Sequence, residues 1–181
     1  MDRIETTQPS FFGKPWLAKV IVVLLFVFGL GIRMVDLTDL PLDFHPTRQF
    51  LSAVKARGMY YQYANDVPEW QREMAIQRWK DADVFEPAVN ETVVAGLYLL
   101  FGEHLWLARL TSSVYWLLGG LALFALAVRV SSVDGAILGL AYYLFLGFGV
   151  IASRSFQPDP LMVGLILGSL WAFYRWTEEN T

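Results

Sequence analysis

The 181-residue chain has no cysteine, which excludes disulfides, thiolate nucleophiles and Cys-based metal sites. Histidine is almost as scarce: His45 and His104 are too far apart in sequence to make a metal-ligand spacing. Charged residues are only 17% of the chain, the net charge is −3 and no run of Lys or Arg occurs. A nucleic-acid partner, whose phosphates call for a basic face, is therefore excluded. Most of the charge lies between Asp36 and Arg109, leaving long stretches elsewhere nearly free of it. What the chain has in quantity is apolar surface, with 55% hydrophobic and 15% aromatic residues. Together with a positive mean hydropathy, this describes a membrane protein with one polar insert.

Residues 16–35 carry only Lys19 and Arg33 before the polar insert, each near one end of an apolar core that reaches spanning length through snorkelling flanks. Arg33-Met34 stands where a signal peptide would need a small-residue cleavage site, so the segment reads as an uncleaved anchor. Further spans are expected at 105–128, 136–152 and 161–176, the third of the four short enough to be tilted or to thin the bilayer. Residues 92–101 are apolar but too short to cross and suit a helix on the membrane surface. The expected fold class is all-α: a polytopic transmembrane bundle of about four spans, one domain over 1–181, with a helical extracytoplasmic loop at 36–91.

Arg3, Lys14, Lys19, Arg129 and Arg175 flank the spans, and the positive-inside bias places them in the cytoplasm with the N-terminus. The expected location is a multi-pass plasma membrane, a bacterial inner membrane in particular, with the insert facing outward. Spans two and three separate the insert from the 153–160 break, so both emerge on one face whatever the orientation. Trp16, Trp106, Trp171 and Trp176 fall near span ends, where amphipathic rings suit the headgroups. Gly29, Gly31, Gly119 and Gly120 suit close helix packing. In the insert, Pro46 can open a helix along the membrane surface through Phe50, Val54 and Tyr61, and Pro68 a second through Trp70 and Met74 towards Lys80.

Two polar segments could carry chemistry. In "LPLDFHPTRQF", Asp43 follows the first span at a depth where a carboxylate meets lipid-borne substrates, a suitable place for a general base. Its ordinary use would be to cap the Pro46 helix or pair with Arg48. His45, Arg48 and Gln49 have equally ordinary surface uses. In "ASRSFQPDPL", Arg154 and Asp159 lie between two apolar spans, where charge is costly and often kept for function. Asp159 could instead be the N-cap of the last span, with Pro160 at its first position.

These segments resemble the glycosyltransferase family of dolichyl-phosphate-mannose protein mannosyltransferases and bacterial lipid-A aminoarabinose transferases, within the GT-C superfamily. The features that carry it are Asp43 soon after the first span, "EPA" at 86–88 where the family has "EPP", and "LFGEHLWLARLTSSVYWLLGG" followed by "SRSFQPDPLM". The resemblance implies sugar transfer from a polyprenyl-phosphate carrier to an acceptor hydroxyl or amine on the outer face, with inversion and with Asp43 as base. Arg154, and more weakly Arg48, would hold the departing phosphate. Asp159 would orient an arginine or the acceptor, and His45 and Glu86 join the candidate substrate-binding residues. The resemblance calls for no metal or other cofactor; the lipid-linked sugar is the donor, and membrane lipid and the polyprenyl phosphate are the partners. Members of the family carry further spans that complete the lipid groove, so the chain resembles the N-terminal portion of such an enzyme.

The alternative from another class is a non-catalytic membrane subunit or a small transporter-like bundle. A transporter places ionisable groups in mid-span. Here the span centres are free of them, which favours chemistry at the interface.

Overall fold

A computed structural model describes residues 14–64, 67–82 and 86–180. Arg3, one of the residues expected in the cytoplasm, lies outside the described residues. Among the described residues there are eight helices and no strand, in agreement with the all-α expectation. They are α1 (Pro15–Met34), α2 (Pro46–Tyr61), α3 (Glu69–Lys80), α4 (Val89–Phe101), α5 (Leu105–Val130), α6 (Val133–Phe145), α7 (Gly147–Ser153) and α8 (Asp159–Glu179).

The spans come out differently from a plain set of four. Helices α1 and α5 are long and apolar enough to cross a membrane. The expected third span is two helices, α6 and α7, bent by 60° at Leu146, and counts as a crossing only if taken as a broken pair. The bend replaces the expected tilt, because Gly147 and Gly149 follow Leu146 and Gly is a poor helix former. Helix α8 has 21 residues, enough to cross by length. Its last turns hold Arg175, Glu178 and Glu179, and it falls short of the apolar character of the other two.

Helices α5 and α8 share the most extensive packing, with α1 and α6 against the rest of α5. Glycine makes the α5–α8 seam possible. A Cβ on Gly164 would stand 2.9 Å from the Tyr115 carbonyl oxygen, and one on Gly119 would stand 3.1 Å from Gly164 Cα. The two backbones therefore touch, as small residues allow in apolar surroundings.

The insert folds as expected into at least two helices, with Pro46 at the start of α2 and Pro68 immediately before α3. They form a hairpin in which Gly58 faces Trp79 so closely that a side chain there would collide with the Trp79 Cβ. The expected apolar face of α2 is buried only at Tyr61. Phe50 and Val54 are 40% and 36% exposed, while Gln49, Ser52 and Lys55 are buried with Ala56 and Tyr61. Gln49 turns inward to polar backbone, described below, and the Ser52 hydroxyl donates to the Glu91 carboxylate at 2.7 Å. Phe50 and Val54 instead line a groove against α3. A core cluster of Ala56, Val94, Tyr98, Leu107, Ala108 and Phe156 then ties α2, α4, α5 and the 154–158 break together.

Candidate active site

The chain leaves α1 at Met34 and turns through a left-handed residue, Asp36 at φ 50°. It reaches α2 through a second, His45 at φ 44°, which precedes Pro46 as its N-cap residue. Neither is glycine, so both turns are strained, and between them the chain makes a tight excursion that carries Asp43. His45 contributes no side-chain cap; its ring sits edge-on to Phe44 with centroids 4.5 Å apart.

Asp43 neither caps α2 nor pairs with Arg48, the two ordinary uses the sequence suggested. Its Oδ2 accepts from Arg109 Nη2 at 2.9 Å and lies 3.6 Å from Arg154 Nε. Both contacts fall on one oxygen, and among the described residues no hydrogen bond reaches Oδ1. The Asp43 side chain is 36% exposed, against 1% for Arg109 and 11% for Arg154. The carboxylate therefore stands at the mouth of a buried cationic floor.

Backbone carbonyls build that floor. Arg109 Nη1 donates to the Asp36 and Asp39 carbonyls at 3.1 and 3.0 Å, and Arg154 Nη2 donates to the Asp36 carbonyl at 3.1 Å. The Nε atoms of both arginines are buried with no hydrogen-bond acceptor among the described residues. A third buried arginine, Arg33, stands next to this layer, since its Nε donates at 2.7 Å to the hydroxyl of Ser153, the neighbour of Arg154. Its Nη1 donates to the Gly29 carbonyl at 2.6 Å, and its Nη2 has no acceptor among the described residues. Among the described residues, Asp43 supplies the one carboxylate in direct contact with Arg109 and Arg154, while the Asp36 and Asp39 carboxylates act on Arg109 at longer range.

Beside it, Arg48 bridges Glu86 and Asp159, each at 3.3 Å, with all three side chains between 42% and 48% exposed. Asp159 is the first residue of α8, following Pro158 as N-cap residue, and it makes no side-chain cap. It therefore orients Arg48 instead of capping α8. The structure thus gathers five of the six sequence-predicted residues into two adjoining clusters, Asp43–Arg154 and Arg48–Glu86–Asp159, while His45 shapes the turn between them. The insert and the 153–160 break do meet on one face.

Sequence reasoning missed Arg109 and Gln49. Arg109 is the lone arginine in the 105–128 stretch and lies at its insert-side end. That signal was open to the same argument about costly charge that singled out Arg154. Gln49, expected at the surface, is fully buried. A groove of about 890 Å³ between α2 and α3 is lined by Phe50, Leu51, Val54 and Met74 with Gln77, Arg78 and Asp81, and none of the predicted site residues lines it. No group of acidic or histidine side chains suited to a metal occurs among the described residues.

A helical, multi-pass membrane protein with a carboxylate on a bed of buried arginines beside the membrane-crossing helices is the class that this fold and site define. The chain belongs to the dolichyl-phosphate-mannose-protein mannosyltransferase family, a family of glycosyltransferases, whose model matches residues 86–181, just over half of the chain. The matched part holds Glu86, Arg109, Arg154 and Asp159; Asp43, His45 and Arg48 lie before it. No curated protein and no solved structure matches the chain.

Proposed function

We propose that the protein works in transfer of a sugar from a polyprenyl-phosphate donor to an acceptor hydroxyl or amine, with inversion, by a GT-C type mechanism. The observation that carries this reading is Asp43 held by Arg109 and Arg154, with two buried guanidinium nitrogens still lacking an acceptor. The acceptor oxygen or nitrogen attacks the anomeric carbon from the face opposite the phosphate, and its proton passes to Asp43 Oδ1. The bond from the anomeric carbon to the phosphate oxygen breaks, and the lipid phosphate leaves with the electron pair. Charge grows on that phosphate, and preorganised cations lower the barrier most where charge grows. Arg154 and Arg48 are the cations assigned to it, with Arg109 holding the base in place. The acceptor loses its proton as the new bond forms, so the step needs the carboxylate placed beside the attacking atom.

The insert and Asp43 face outward in this reading, with the N-terminus and Arg129 in the cytoplasm of a bacterial inner-membrane topology. Single cysteines at 42 and 132 in the cysteine-free chain should then label from opposite sides; labelling from the same side would discard the orientation. Transfer of labelled sugar from a polyprenyl phosphate by the purified protein in vesicles tests the chemistry. Asp43→Asn is expected to lower turnover by about a hundred- to ten-thousandfold. Arg154→Ala is expected to weaken donor affinity as well, because one contact serves both binding and departure. Turnover by Asp43→Asn close to that of the parent would remove Asp43 as the base.

A further inference from the structure

The fully buried Gln49 makes hydrogen bonds to two segments that are distant in sequence. Its Nε2 donates to the Phe44 carbonyl at 2.5 Å and the Pro41 carbonyl at 3.4 Å, both close to Asp43 in the chain, while its Oε1 accepts from the Phe156 amide at 3.0 Å. Gln157, also fully buried, donates from Nε2 to the same Phe44 carbonyl at 3.3 Å, and Asn90 Nδ2 donates to the Gln157 carbonyl at 2.9 Å. The carbonyl one residue after Asp43 thus receives two side-chain amides, one from α2 and one from the break that carries Arg154. Apart from the arginine contacts themselves, the Asp43 and Arg154 loops are joined through this carbonyl and Gln49.

We propose that Gln49 is a positioning residue that fixes the Asp43 loop against the Arg154 loop, with Gln157 as the second arm of the clamp. Three points of chemistry single it out. A primary amide can donate to one segment while accepting from the other, which neither a carboxylate nor an ammonium can do. Neither contact involves the Asp43 carboxylate, so the clamp sets position and leaves that group free for substrate. Finally, a glutamine buried among polar backbone is costly unless every contact is made, so the site retains little play. The role in turnover rests on the sugar-transfer reading above; the clamp itself does not.

Two substitutions separate the donor and acceptor contacts of Gln49. Gln49→Glu keeps an acceptor for the Phe156 amide but sets a carboxylate against the Pro41 and Phe44 carbonyls, whereas Gln49→Met keeps the volume and removes both contacts, leaving the Gln157 bond to the Phe44 carbonyl in place. Hydrogen exchange on the full chain in detergent, without substrate, reads them directly. Peptides covering 36–46 should exchange faster in both variants, those covering 154–160 faster only in Gln49→Met, and α5 and α8 at parental rates in both. In the transfer assay, Gln49→Glu should lower kcat on the order of a hundredfold, as for a reacting group displaced by about 1 Å, and leave donor KM near the parental value. Unchanged exchange across 36–46 in Gln49→Glu, or faster exchange spread through α5 and α8, would overturn the clamp. A parent protein that transfers no sugar would overturn the sugar-transfer reading, and the exchange pattern would still decide the clamp.

Discussion

The two ends of the α5 and α8 bundle both carry arginines beside acids, yet they are built in opposite ways. At one end Arg129 pairs with Glu178 at 2.7 Å, and Arg175 pairs with Glu178 and Glu179 at 3.8 and 2.7 Å. Every one of these side chains is about one-third exposed or more, and charge meets charge in equal number. At the other end Arg33, Arg109 and Arg154 are buried, rest mostly on backbone carbonyls and a hydroxyl, and among the described residues touch one carboxylate directly, Asp43, with Asp36 and Asp39 acting on Arg109 at longer range. Balanced pairs in water contribute little to stability and need no further partner. Buried guanidiniums that rest on carbonyls and not on direct acidic partners are costly to assemble. The two ends thus differ in how their charges are partnered: exposed ion pairs at one, buried guanidiniums resting on backbone carbonyls at the other.

Substitutions at the two ends should differ accordingly. Arg109→Ala removes donors from Asp43 and from the Asp36 and Asp39 carbonyls at once. It should cost about 3 kcal/mol, the lower edge for breaking a buried pair because Asp43 can regain water. Equilibrium unfolding in mixed micelles measures it, and a loss no larger than at an exposed pair would erase the contrast between the ends. Between the ends, Gly164→Leu should cost about 1–3 kcal/mol by forcing α8 off the Tyr115 carbonyl. It should weaken both clusters together in the same unfolding assay, whereas an unchanged midpoint would show that the seam yields. Arg129→Ala is expected to change stability by less than about 1 kcal/mol and to leave sugar transfer untouched. A large loss there would mean that the exposed pairs hold the bundle together as firmly as the buried ones do.

Much of this was legible in the sequence, for reasons that can be named. Parity alone placed Asp43 and Arg154 on one face, since an even number of crossings between two loops returns the chain to its starting side. Pro46 and Pro68 marked helix starts because a missing N–H costs nothing in a first turn. Composition identified a membrane protein, and the "EPA" and "SRSFQPDPLM" segments pointed to a family whose model matches 86–181. Arg109 escaped notice because an arginine at the end of an apolar run looks like an ordinary snorkelling flank. Gln49 escaped because sequence pattern says which residues of α2 share a face but not which face turns inward. In α2 the buried side mixes Gln49, Ser52 and Lys55 with Ala56 and Tyr61, and only three-dimensional placement could show it. The 60° break at Leu146 escaped for a similar reason: two glycines in an apolar stretch are as ordinary as close packing.

The backbone contact of Gly119 with Gly164 has a consequence for the bilayer itself. Because α5 and α8 touch there through backbone, neither can slide far along the other. Arg109 and Arg129 lie twenty positions apart on α5, about 30 Å at about 1.5 Å per residue. That is close to the hydrocarbon thickness of a typical membrane, about 30 Å. The helix pair thus acts as a gauge block with a charged collar at each end, so a thinner bilayer must tilt it and a thicker one must pinch around it. Bilayer thickness thereby becomes a variable that sets how deep the Asp43 carboxylate sits.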